Sequence, residues 1–99
     1  MKVLKFAINE KYFDEFKEIC QNEEITIKRK INVLLSQDRN PSNIKDYYPE
    51  DYKEHTRKLT LKVNEEIYKG VMKNCGKFDY RIREYLPYLI YKYLLHDRK

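Results

Sequence analysis

The sequence predicts an α+β domain of two short antiparallel strands and four or five helices, and three observations carry that prediction. Apolar residues alternate in two separate stretches, Leu4, Phe6, Ile8 and Leu59, Leu61, Val63, which is the period of a strand with one buried face. After each stretch the period becomes that of a helix. A shift of 55 residues lays Leu4 to Glu10 over Leu59 to Glu65, so that strand, helix and helix follow one another twice, as an internal pseudo-repeat.

Each element follows from its residues. Asn9 and Asn64 end the strands and suit the N-cap, because the side-chain oxygen accepts an early orphan amide of the helix. A glutamate follows each cap, near the positive end of the helix dipole. The first helix then carries the stripe Tyr12, Phe13, Phe16, Cys20, and its counterpart carries Ile67, Tyr68, Val71, Cys75. Polar or flexible residues predict their ends, Gln21-Asn22 in one copy and Asn74 to Gly76 in the other. The second helices carry Ile27, Ile31, Leu34, Leu35 and Ile82, Leu86, Leu89, Ile90. Pro87 falls inside the last one, where a missing amide and a ring clash predict a kink or restart.

The chain is thus expected to be one domain over 1–99, with units at 1–37 and 58–99 joined by a connector at 38–57. The connector holds Asn40-Pro41-Ser42-Asn43, which reads as a turn. Pro49-Glu50-Asp51 predicts a short helix reaching about Thr56, since proline suits a first turn and acids favour its positive end.

Composition bounds the function. With 99 residues there is no room for a large enzyme, while 41% hydrophobic residues supply a core and argue against disorder. No stretch approaches the roughly 18 apolar residues of a membrane span. Met1 to Phe6 alternates charged and apolar side chains instead of forming the apolar segment of a secretory signal, so a cytoplasmic site of action is expected. Cys20 and Cys75 stand far apart with no CxxC and are expected to be reduced core residues. His55 and His96 are isolated, and no cysteine or acid around them has metal-ligand spacing. Glycine occurs only at positions 70 and 76, too sparse for a phosphate loop or a GxSxG elbow. The expectation is no enzyme, no metal, no cofactor, no small-molecule substrate and no membrane partner.

Charge points elsewhere. Lys and Arg outnumber Asp and Glu by 21 to 16, and residues 58–99 carry ten bases against five acids. That basic third suits a polyanion. By alternation the outward strand residues are Val3, Lys5, Ala7 and Lys58, Thr60, Lys62.

The run Lys58-Leu59-Thr60-Leu61-Lys62-Val63-Asn64-Glu65-Glu66-Ile67-Tyr68 resembles the ribbon-helix-helix family of DNA-binding proteins. In that family two copies pair their strands into a ribbon that enters the major groove. The resemblance implies a tandem version in one chain, a transcriptional regulator with Lys5, Lys58, Thr60 and Lys62 meeting the bases. Lysine donates to guanine acceptors, and threonine bonds either way or touches a thymine methyl. Val3 and Ala7 depart from the polar outward face of the family and offer only apolar contact. Glu23-Glu24 and Asp79 at the helix–helix turns oppose a phosphate there. In composition, ten tyrosines, no tryptophan, two glycines and 37% charged residues are similar to small proteins of crenarchaeal filamentous and rod-shaped viruses. That likeness implies a hot host-cell cytoplasm, where high charge content favours thermostability.

Other signals admit two readings each. Tyr85 to Leu95 is apolar on nearly every side and forms either the centre of the core or an interface for a homodimer or protein partner, with Tyr85, Tyr88 and Tyr91 as contacts. The interface version makes the chain an interaction protein instead of a DNA binder. Lys69, Lys73 and Lys77 on one helix either pair with Glu10, Asp14 and Glu18, touch phosphates, or form a solvated face. Lys28-Arg29-Lys30 either holds a phosphate or is an exposed helix start. Tyr47, Tyr48 and Tyr52 either stack on single-stranded bases or pack the connector.

Overall fold

A computed structural model describes residues 2–38 and 43–98; the predicted turn at Asn40-Pro41-Ser42 lies outside them. Its order is β1 (Lys2–Asn9), α1 (Glu10–Asn22), α2 (Ile27–Gln37), a 3-10 turn (Ile44–Tyr47), β2 (Thr56–Val63), α3 (Glu65–Phe78), α4 (Ile82–Lys92) and a π-helical turn (Tyr93–Asp97). The class is α+β, with two antiparallel strands and four helices as expected. Among the described residues no helix is long and apolar enough to cross a membrane.

Local chemistry sets these boundaries. The Asn9 side chain accepts from the Lys11 amide at 2.9 Å and the Asn64 side chain from the Ile67 amide at 2.8 Å, so both predicted caps close their helices. Thr26 caps α2 by accepting from the Arg29 amide. α1 ends where expected, with Glu24 in the left-handed region and the Ile25 amide donating to the Cys20 carbonyl at 3.0 Å. α3 runs past the predicted stop at Asn74 to Gly76. It ends the same way as α1, with Asp79 left-handed at φ 59° and the Tyr80 amide donating to the Cys75 carbonyl at 2.9 Å. Gly76 stays helical because stacked α-helical hydrogen bonds and the buried Val71 and Cys75 outweigh its propensity cost.

Two other expectations are corrected. Pro49 to Thr56 is a succession of turns, with the Tyr52 amide on the Pro49 carbonyl and the Glu54 amide on the Asp51 carbonyl. β2 begins at Thr56, where the short helix was expected to end. Of the kink or restart expected at Pro87, the restart is absent: α4 runs continuously from Ile82 to Lys92. The ring denies an amide to the carbonyl of Arg83, an exposed residue that water can reach, and in exchange the proline is buried in the core.

The core forms around α4, which packs against β1, α1, α2, α3 and the 3-10 turn. Tyr85, Tyr88 and Tyr91 are 0, 1 and 1% exposed, so they present no surface, and the expected tyrosine interface is corrected to its alternative, the core. Leu4, Phe6 and Ile8 of β1 close one side of it, and Phe13, Phe16, Ile31 and Val71 belong to the same cluster. Cys20 and Cys75 are buried free thiols.

Burying this many tyrosines requires a partner for each hydroxyl, since an unpaired buried polar group costs about 1–3 kcal/mol. The hydroxyls of Tyr85 and Tyr88 each donate to a different oxygen of the buried Asp38 carboxylate at 2.8 Å, and Asn74 donates to the Tyr85 oxygen at 2.9 Å. The Lys92 ammonium stands 3.6 Å from the same carboxylate. Tyr91 accepts from the Asn9 amide at 3.1 Å, Tyr48 donates to the Glu84 carbonyl, and Tyr12 donates to Asp51. Among the described residues no buried side-chain polar atom lacks a partner.

Two measurable consequences follow. Asp38→Ala strands two hydroxyls and an ammonium, so urea unfolding should show a loss of about 2–4 kcal/mol, against about 1 kcal/mol for Tyr88→Phe. A loss below about 0.5 kcal/mol for Asp38→Ala, the level of ordinary surface changes, would refute the role given to that carboxylate. Alkaline pH supplies the second test. Burial raises Tyr12 to about 12 and Cys75 to about 11, and raises Tyr48, Tyr85, Tyr88 and Tyr91 above their ordinary value of 10.0. A raised pKa gives stability that is whole below the unfolded value and is lost as pH climbs through the folded one. Circular dichroism should therefore report unfolding between about pH 10 and 12, with tyrosinate absorbance rising in the same transition. A folded signal alongside full tyrosinate absorbance would contradict this.

Candidate nucleic-acid interface

β1 and β2 pair antiparallel with Val3 opposite Lys62, Lys5 opposite Thr60 and Ala7 opposite Lys58. Residues directly opposite share a face, so these six stand together on the outside of the ribbon. All six are exposed. The alternate positions, Leu4 opposite Leu61 and Phe6 opposite Leu59, point to the core. The structure thus brings Lys5, Lys58, Thr60 and Lys62 onto one surface.

That surface has an unbalanced charge. Lys58 and Lys62 are the diagonal neighbours of Lys5, at the roughly 7–8 Å spacing such positions have. No acid is among the six outward residues, and among the described residues none of the three lysines joins an ion pair. The acid nearest the ribbon's end in sequence, Glu10, is taken by Arg57 at 3.8 Å. Like charges gathered without a counter-charge cost the free protein stability and favour an anionic partner.

Cations from the helices extend the surface at both ends. Lys62 shares a depression with Lys28 and Arg29 from the first turn of α2. At the other end Arg83, from the first turn of α4, shares one with Lys5, Ala7 and Lys58, and Lys45, Arg81 and Glu84 adjoin it beside Ala7. Lys30, the third base of the α2 run, turns away to bind Glu23 at 2.7 Å. That hydrogen bond pulls the Glu23 carboxyl below its ordinary range. For Lys30, burial opposes the charge, yet the hydrogen bonds to Glu23 and Tyr93 prevail and its pKa is raised. One of the acids set against a phosphate at this turn is therefore already engaged.

The remaining candidates fall elsewhere. Tyr47, Tyr48 and Tyr52 are half-buried and pack the connector, with Tyr48 5.0 Å from the Tyr91 ring and 4.9 Å from that of Tyr52. Lys45 caps two of these rings at 4.3 and 5.2 Å. Their faces serve one another. Lys69 pairs with Glu65 on its own helix at 3.8 Å, and among the described residues no ion pair joins Lys69, Lys73 or Lys77 to Glu10, Asp14 or Glu18. His96 stacks edgewise on Tyr47 at 5.0 Å, and exposed His55 takes a left-handed turn before β2. Among the described residues no three His, Cys, Asp or Glu side chains converge as a metal site would need.

Sequence reasoning missed Arg81 and Arg83. The signal was present, because the shift of 55 that aligned the strands also lays Arg83 on Lys28. Set against protein-family models, curated proteins and solved structures, the chain matches none of them.

Proposed function

We propose that this protein binds duplex DNA through the outer face of its two-stranded ribbon. The observation that carries the reading is an exposed ribbon face with Lys5, Lys58 and Lys62 gathered on it, no acid among its six outward residues and arginine or lysine at both ends. The major groove admits a two-stranded ribbon, and lysine and threonine suit its base edges. Lys28, Arg29 and Arg83 flank the ribbon where phosphates would border the groove, and they orient the protein without reading sequence. The arrangement agrees with the ribbon-helix-helix resemblance and with a role in regulating transcription. The buried tyrosines of α4 speak against the rival reading as a protein-interaction helix.

Fluorescence anisotropy with a labelled duplex tests this. About four phosphate contacts should lower affinity roughly a hundredfold between about 50 and 200 mM salt, through counterion release. Lys58→Ala with Lys62→Ala should weaken binding some thirtyfold, the equivalent of about 2 kcal/mol. Lys28→Ala with Arg83→Ala should reduce the salt slope by about two. Unchanged affinity in the folded Lys58/Lys62 double variant would remove the ribbon from the mechanism.

A further inference from the structure

We infer that a single copy of the chain reads a non-palindromic DNA site, with guanines beside β2 and thymines beside β1. The inference rests on the duplex reading above and specifies what that face would recognise.

The backbone of the ribbon has an approximate two-fold axis. Lys5 faces Thr60, the residue 55 positions on, and the outward pairs step away from that centre equally, to Val3 and Lys62 on one side and Ala7 and Lys58 on the other. The helix ends obey the same relation. The Ile25 to Cys20 bond beside left-handed Glu24 and the Tyr80 to Cys75 bond beside left-handed Asp79 are each displaced by that interval. Both strands come from one chain and α4 closes the core behind them, so one copy presents the whole reading face.

The side chains break this symmetry. Rotation about the axis exchanges Val3 with Lys58, Lys5 with Thr60, and Ala7 with Lys62, and each exchange swaps one chemistry for another. A palindromic site offers identical base edges to both members of each exchange, and at the Val3/Lys58 and Ala7/Lys62 exchanges a guanine edge suits only the lysine. Lysine donates to guanine O6 and N7, whereas valine and alanine have no donor and complement the thymine methyl. A guanine placed against Val3, itself 41% exposed and free to make contact, loses water from its acceptors without replacement. The asymmetry therefore selects against the palindrome as well as for the matched site.

Binding-site selection from a randomised duplex library tests the inference. The native chain should enrich a motif that differs from its own reverse complement and is bound by one copy. Replacing the thymines beside β1 with uracil should weaken binding about fourfold for each methyl removed. The combined variant Val3→Lys, Lys5→Thr, Ala7→Lys gives β1 the outward chemistry of β2, and its selected motif should become palindromic. The reverse variant, Lys58→Val, Thr60→Lys, Lys62→Ala, should also give a palindrome, now rich in thymine; all these positions are exposed, and circular dichroism checks the fold. A palindromic motif from the native chain, two copies per site, or one motif shared by native and variant proteins would overturn the inference while leaving duplex binding intact. Absence of any duplex binding at about 50 mM salt, where phosphate contacts are strongest, would instead overturn the duplex reading and this inference with it.

Discussion

A buried carboxylate holding two tyrosine hydroxyls is the interaction on which the rest of this molecule depends. α4 is enclosed on nearly every side, and its largest buried side chains are Tyr85, Tyr88 and Tyr91, set among Leu86, Leu89 and Ile90. Such rings bring large apolar area, yet each carries a polar tip that the interior must satisfy. Asp38, the residue that ends α2, satisfies two of them at once and draws the end of that helix onto the central one. Lys92 at 3.6 Å offsets the buried charge. Removing either half of such an arrangement costs more than never having built it.

The ribbon inherits its order from this centre. A lone two-stranded hairpin is at best marginal in water, and here the strands are not even joined by a hairpin turn. They persist because Leu4, Phe6 and Ile8 lie against α4, while Asn9 locks the far end. Its amide donates to Tyr91, its side-chain nitrogen donates to the Asp51 carbonyl at 2.8 Å, and its side-chain oxygen caps α1. One polar residue thus ties strand, first helix, connector and central helix together. The inner face is fixed by packing, and the outer face is left free to carry charge.

The parts of the fold legible in the sequence were those governed by short-range rules. Period-2 alternation gave both strands their buried faces, and the two asparagine caps located the starts of α1 and α3 to the residue. Local rules failed where tertiary contacts decide. Pro49-Glu50-Asp51 has a good helical first turn, but the Asp51 carbonyl and carboxylate are claimed by Asn9 and Tyr12, which hold the segment in turns. Asn74 and Gly76 read as a stop, yet Asn74 donates to Tyr85 from inside a continuing helix. On the candidate site, alternation identified the six outward residues. Of the flanking cations, Lys28 and Arg29 stood out as a basic run, whereas Arg81 and Arg83 escaped: they are far from the strands in sequence, the shift of 55 marks Arg83 alone, and the folded chain sets them beside Ala7 and Lys58.

The register of the ribbon also governs the order in which the molecule can assemble. Lys2 meets Val63 and Asn9 meets Thr56, so pairing must close a loop holding two helices and the connector before it returns any contact energy. Contacts so distant along the chain slow folding, whereas α1 and α2 can form from neighbours alone. β1 therefore leaves the ribosome with no strand to pair with and waits, its apolar face uncovered, until β2 and then α4 have followed. The charged outer residue Lys5 stands on that waiting strand and Lys2 at its start, where charge discourages pairing with another chain in the interval.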